Sequence, residues 1–184
     1  MPSKTKQAQG PVIARVTLET PLGPVYLAFS ATGLKELSFA EENVPFPSAS
    51  PDFTPETELK GETLKIWRQV VKALEDYFGG KPASFEDLPL DLQGSPFYLR
   101  VWQELQKIPP GETISYQEMA RRLGNPQASR AVGQACGANP IPLIVPCHRV
   151  IASNGALWGF SSGLERKRWL LAHEKANLEE GSGT

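Results

Sequence analysis

Apolar and polar residues alternate through "PVIARVTLET" (11–20) and "PVYLAFS" (24–30), and this period of two predicts two strands joined by the turn "PLG". "ATG" leads into a third run of the same kind, "LKELSFA" (34–40). The stretch "EENVPFPSASPDFTPET" (41–57) is acidic, rich in Pro and Ser and aperiodic, which predicts an exposed loop. The period then changes. Leu64, Trp67, Val70, Val71 and Leu74 recur at helical spacing, predicting a helix from about Thr57 to Phe78 that Gly79 and Gly80 end. "ASFEDLPLDLQGSP" (83–96) is extended and broken by proline, as a linker would be, and places a domain boundary near residues 90–95.

Beyond that boundary the pattern is helical. Ser95 and Pro96 open a helix whose inner face holds Phe97, Val101, Trp102 and Leu105, and "IPPGE" stops it. Ser115 and Glu118 form an S-x-x-E capping box ahead of "YQEMARRLG", which Gly124 ends. Asn125 and Pro126 suit the N-cap and first turn of "PQASRAVGQACGAN". Two short helices meeting at Gly-Asn-Pro resemble a helix-turn-helix. On the second, Ala128, Ala131, Val132 and Ala135 make a narrow apolar stripe, while Arg130, Gly133, Gln134 and Gly137 share the other face. Small residues around one arginine let a helix backbone approach something large. A DNA duplex and a tightly packed neighbouring helix both fit.

The domain plan is therefore α+β, with a first domain over 11–92 and a second over 95–175. Residues 1–10 and 176–184 are expected to be flexible ends. At 184 residues the chain can bury a sizeable core. It shows neither a signal-like leader nor an apolar run long enough to span a bilayer, so the expectation is a cytoplasmic protein with no membrane partner. Net charge is −1, but residues 1–94 carry 9 Lys/Arg against 13 Asp/Glu and residues 95–175 carry 10 against 5. A basic second half suggests an anionic partner; charge alone fits a solvated surface equally well.

Chemistry concentrates in "IPLIVPCHRV" (141–150), where an apolar run that reads as a buried strand ends in proline and Cys147, His148 and Arg149 follow. Cys136 and Cys147 are the chain's two cysteines, and a disulfide between them is not expected of a protein of this size and location. Nor do Cys136, Cys147, His148 and His173 have the short paired spacing of a zinc site, so no metal is expected. Cys136 reads as a small core residue. Cys147 differs because an imidazole adjoins it: a thiol attacks only as thiolate, which His148 as base and Arg149 as positive field could promote. In "SGLERKRWLLAHE" Lys167, Leu170, Leu171 and Glu174 share a helical face, and a carboxylate there needs a partner. His148 is one candidate; solvent at the helix end is the alternative.

"PCHRV", "RAVGQACGANP" and "GLERKRWLLAHE", in this order and spacing, resemble the O6-alkylguanine-DNA alkyltransferases, also called methylated-DNA–protein-cysteine methyltransferases. The resemblance is specific from about Phe97 to Glu174 and weaker before it. It implies an N-terminal ribonuclease-H-like domain of sheet and helix, then a mostly helical domain with a helix-turn-helix. It implies a single-turnover repair reaction, in which Cys147 takes the alkyl group from O6-alkylguanine flipped out of double-stranded DNA. His148 would deprotonate the thiol through a water, with Glu174 holding the histidine and Asn139 as hinge. Tyr116 would help rotate the nucleotide. Arg130 would enter the stack, with Ala131 and Gly133 beside it on a helix in the minor groove. Val150, Trp158, Phe160, Ser161 and Lys167 would line the pocket, Val150 and Ser161 offering hydrogen bonds to guanine. The expectation that goes with the resemblance is a monomer that needs no cofactor.

One stretch departs from the family pattern. Where members commonly show Gly-Tyr and then Gly-Gly-Leu, this chain has "GALWGFSSGL". Trp158, Phe160 and Ser162 would narrow the alkyl pocket if they face inward; Trp158 facing solvent would leave it roomy. The zinc site that some relatives carry is also missing, since no Cys or His precedes Cys136. Two other readings exist: a non-catalytic alkyltransferase-like lesion binder, which has another residue at the cysteine's place, and a thiol hydrolase, which needs an oxyanion site.

Overall fold

The computed structural model describes residues 10–41 and 53–181. Most of the loop expected at 41–57, and all but Gly10 of the expected N-terminal end, lie outside them. The three alternating runs form an antiparallel sheet of β1 (Ala14–Leu18), β2 (Val25–Phe29) and β3 (Leu34–Phe39), in that order. Val16 faces Leu27 and Leu27 faces Leu37 across the ladder, all three buried, so the period of two puts one row into the core. After a short 3-10 turn at Glu56–Glu58, α1 (Gly61–Phe78) buries Ile66, Trp67, Val70, Leu74 and Tyr77. Trp67 lies edge-on to Phe29, which joins helix to sheet.

The expected linker is extended but not free. Leu34 donates its N–H to Pro89 O and accepts from Asp91 N–H, both at 2.8 Å, so the segment pairs in parallel with β3. Gly33 permits this approach, since a Cβ there would sit 2.6 Å from the Pro89 carbonyl oxygen. Phe85, Leu88, Leu90 and Leu92 pack on a core cluster that runs continuously through both halves of the chain.

Next come α2 (Pro96–Leu105), β4 (Ile114–Ser115), α3 (Tyr116–Arg122), α4 (Ser129–Gly137), a 3-10 turn at Cys147–Arg149, β5 (Val150–Ile151) and α5 (Leu164–Gly181). Ser95 and Ser115 cap α2 and α3 as expected, their hydroxyls accepting from Tyr98 and Glu118 N–H groups. The carboxylate half of the capping box differs, because Glu118 turns to Arg121 and Arg122. α4 begins at Ser129, later than Asn125-Pro126 suggests. Gly124, at φ +78°, and Asn125 are spent closing α3: the Gly124 N–H reaches Arg121 O and the Asn125 N–H reaches Ala120 O. The chain needs a further turn before it can restart. Trp102 then ties α2 to α4, its indole N–H donating to Ala135 O at 2.8 Å.

Two further expectations are corrected. "IPLIVP" is buried as its composition suggests, but it is a turn and not a strand. Pro140, Pro142 and Pro146 bring no N–H to a ladder, and Leu143 sits at φ +77°, which reverses the chain. At the C-terminus α5 continues to Gly181, through most of the expected flexible tail. Among the described residues no helix is long and apolar enough to cross a membrane.

Candidate active site

The turn at 141–146 is organised by one side chain. Asn139, buried at the end of α4, accepts from Ile141 N–H through Oδ1 (3.0 Å) and donates through Nδ2 to Val145 O (2.7 Å). The same Nδ2 lies 3.2 Å from Cys147 Sγ. The expected hinge is thus also a direct partner of the thiol. Cys147 opens its 3-10 turn almost completely buried. Burial pushes the thiol up to about 11, while the Asn139 amide and the Lys167 ammonium pull the other way. Cys147 therefore rests protonated at neutral pH, and attack requires a base.

His148 is fully buried and its Nε2 lies 2.7 Å from Glu174 Oε1. The carboxylate fixes the proton on Nε2, leaving Nδ1 as a bare acceptor, buried and without a partner among the described residues. Burial lowers the imidazole's affinity for a proton and outweighs the opposing pull of Glu174; Arg149 and Lys167 push in the same direction as burial. His148 is thus a neutral base in waiting.

Glu174 does lie on the buried face of α5, with Lys167 and Leu170. It accepts from His148, from Arg149 through both Nε (3.0 Å) and Nη2 (2.9 Å), from Tyr77 OH (2.8 Å) and from Gly111 N–H (3.1 Å). Burial alone would favour its protonated form, but His148 and Arg149 more than offset that and hold the carboxyl far below its usual range. Arg149 departs from expectation: its charge is committed to Glu174, and the cation acting on Cys147 is Lys167. The Tyr77 and Arg149 contacts to Glu174 had no sequence signal beyond residue type.

Around this core the remaining candidates take distinct places. Lys167 Nζ is buried and donates to Val150 O (2.7 Å) and Trp158 O (2.9 Å), and burial lowers its proton affinity. Tyr116 OH donates to the same Trp158 carbonyl at 3.2 Å. The β4–β5 pairing, Ile114 against Val150, brings Tyr116 beside the cysteine segment. Phe160 is buried edge-on to His148, while Trp158 is 63% exposed. Trp158 thus takes the solvent-facing one of the two orientations weighed for it. Ser161 and Ser162 border a cleft of about 730 Å³ with Asn139, Pro140, Arg166 and β3, and Cys147 is not among its lining residues.

On α4, Arg130 is exposed, and Ala131 and Gly133 are half-buried. A Cβ added at Gly133 would meet the Tyr116 ring only at 3.9 Å, and one at Gly137 would meet nothing within 4 Å. Close packing within the chain therefore does not require either glycine. Among the described residues no group of three or more His, Cys, Asp or Glu could hold a metal ion.

Comparison with known proteins decides the family. The DNA binding domain of 6-O-methylguanine DNA methyltransferase matches residues 96–176, and its ribonuclease-like domain matches residues 13–92. A methylated-DNA–protein-cysteine methyltransferase of Methanosarcina barkeri is 44% identical over 163 residues, covering 88% of this chain and 96% of that protein. The chain belongs to the 6-O-methylguanine DNA methyltransferase family. Another member, the methylated-DNA–protein-cysteine methyltransferase of Mycobacterium tuberculosis, is 42% identical over 87% of this chain and 91% of its own. A solved structure of Mycobacterium tuberculosis OGT in complex with DNA superposes on this methyltransferase-family fold with a TM-score of 0.75 at 41% identity, covering 90% of this chain and 94% of that one. The fold is thus α+β with the family's two domain types, as expected.

Proposed function

We propose that the protein repairs DNA by direct reversal, transferring the alkyl group of O6-alkylguanine in duplex DNA to its own Cys147. The observation that carries this is the buried relay itself: the Cys147 thiol on Asn139, and the adjoining His148 whose Nε2 lies on Glu174 and whose buried Nδ1 has no partner among the described residues. In the reaction Sγ attacks the alkyl carbon, the carbon–O6 bond breaks, and its electron pair stays on guanine. The thiol's proton passes through a water to His148 Nδ1, and the net transfer is completed when His148 gives up that proton and the departing guanine takes up one in its place, ending as the neutral base. Lys167 supports the developing thiolate. A thioether has no easy route back to thiol, so each molecule acts once, and a displacement of this kind calls for no cofactor.

A stacked base cannot present its O6 substituent to a buried sulfur, so the nucleotide must leave the duplex at a cost of about a few kcal/mol. The exposed Arg130 beside Ala131 and Gly133 is suited to fill the gap, with Tyr116 turning the nucleotide and Val150, Phe160, Ser161 and Lys167 around the base. The spare room at Gly133 and Gly137 supports a backbone approached by DNA rather than by a neighbouring helix. Residues 11–92 serve as scaffold and 95–175 as the DNA-binding and catalytic unit. One chain carries the complete residue set, which supports action as a monomer, in the cytoplasm where DNA is accessible.

Cys147 also separates this reading from the lesion-binding alternative. Intact-protein mass spectrometry after mixing with an O6-methylguanine duplex should show one added methyl group, localised to the peptide holding Cys147. Cys147→Ser should lose transfer and keep lesion binding, whereas Cys136→Ser should transfer normally. Methylation of Cys136, or none, overturns the assignment.

A further inference from the structure

We propose that Tyr77, carried by α1 in the N-terminal half, is a positioning residue for this transfer: through Glu174 it sets how readily His148 accepts a proton. The inference rests on the reading above, in which Cys147 takes the alkyl group and His148 is the base.

Tyr77 is buried, and its hydroxyl donates to Glu174 Oε1 at 2.8 Å. That oxygen also accepts from His148 Nε2 and Arg149 Nη2, so three donors share one atom with two in-plane lone pairs. They compete. Burial, and then the neighbouring carboxylate, keep the phenol protonated and hence a donor throughout the working pH range. The hydroxyl has little freedom to leave. Its ring lies 5.3 Å from Phe78, 5.6 Å from Phe85 and 5.3 Å from His173, and His173 Nε2 lies 2.7 Å from the Tyr77 carbonyl oxygen.

Several groups act on the imidazole. Glu174 and Lys167 face it from α5, Arg149 and Cys147 adjoin it in the 3-10 turn, and the Phe160 ring covers it from the following loop. Among the charged ones only Glu174 favours the imidazolium; Arg149 and Lys167 oppose it. The share of Oε1 left to Nε2–H therefore controls base strength. By taking part of that share, Tyr77 weakens the base in the same direction as burial does. Tyr77 does not touch the reacting atoms, and the N-terminal half thereby enters the chemistry at one remove.

Tyr77→Phe deletes the hydroxyl and keeps the ring and its neighbours. The rate of alkyl transfer from free O6-benzylguanine, followed against pH, should show its acid limb moved up by about half a unit. That is about a threefold loss on the acid side with little change above it. A parallel NMR titration reads the imidazoles without needing activity. The chain has two histidines, and the His148 signal, assigned by its absence from a His148→Asn variant, should shift in the same sense. If both the limb and the His148 titration stay put while Cys147 is still alkylated, Tyr77 only packs the interface and the proposal falls. If wild-type protein never gains the alkyl group on Cys147, the underlying reading has failed instead, and the NMR titration still judges the hold of Tyr77 on His148.

Discussion

Glu174 shows how much of the site depends on one carboxylate. It is 2% exposed, receives five hydrogen bonds from four residues, and neutralises the guanidinium of Arg149, itself 4% exposed. Glu174→Gln is nearly isosteric, yet it leaves Arg149 buried without a counter-charge and asks an amide to accept where it also has protons to donate. Breaking a buried pair from one side costs about 3–5 kcal/mol, far more than a surface pair is worth. Urea denaturation at neutral pH should show a loss of that size together with slowed transfer; a loss under about 1 kcal/mol would mean that Arg149 finds water or another acceptor. At this scale the sequence is legible where residue types are scarce. Cys147 and His148 stand out because the chain has two cysteines and two histidines. Glu174 stands out as a carboxylate on an apolar helical face. Tyr77 and the Arg149–Glu174 pair do not stand out: tyrosines and arginines are common on such a chain, and their contacts with Glu174 span 97 and 25 positions.

The elements that carry these residues differ in how openly the sequence shows them. β1 to β3, α1 and α2 follow from period and caps, because their burial comes from one face and one face sets a period. The segment 141–146 is buried on all sides, so its composition reports burial and says nothing of conformation; its two prolines, Pro140 just before it and the positive φ of Leu143 make it a turn. α4 starts late because Gly124 and Asn125 close α3. The face of α4 is nevertheless placed as the spacing suggests, with Arg130 exposed and Val132 and Ala135 buried. Arg130 makes no hydrogen bond or ion pair among the described residues, so replacing it should leave the fold intact. Arg130→Ala should therefore slow repair in duplex DNA at least about tenfold, in line with about 1.4 kcal/mol or more lost from the flipped state, and leave reaction with free O6-benzylguanine within about twofold. Equal losses on both substrates would place Arg130 in the pocket or the fold instead of in the stack.

Across the whole molecule the two halves are joined by more than a linker. Leu37 N–H donates to Pro140 O, Arg166 reaches Leu22 O and Ala40 O and lies over the Phe39 ring, and Tyr77 meets both Glu174 and His173. With one continuous core, the site's unusual protonation states become properties of the whole fold's stability. The signs can be worked out group by group. His148 binds a proton less well folded than unfolded, so its contribution is present above the unfolded value near about 6.5 and is lost as pH falls below it. Glu174 is also depressed, so its contribution is present above about 4.3 and lost at more acid pH. Cys147 and Cys136 are raised by burial, to about 11 and about 12, so they act on the other side. Their contributions are present below the unfolded thiol value of about 8.5 and are lost as pH rises past it. Stability should therefore peak between about pH 6.5 and 8.5 and fall on both flanks, each group contributing at most about 1.4 kcal/mol per pH unit. Urea midpoints at acid, neutral and alkaline pH measure this, with Cys147→Ser and Cys136→Ser together removing much of the alkaline decline and none of the acid one. A midpoint unchanged from neutral to mildly acid pH would mean that His148 takes up its proton in the folded state. The neutral base needed for transfer would then not be what the fold maintains.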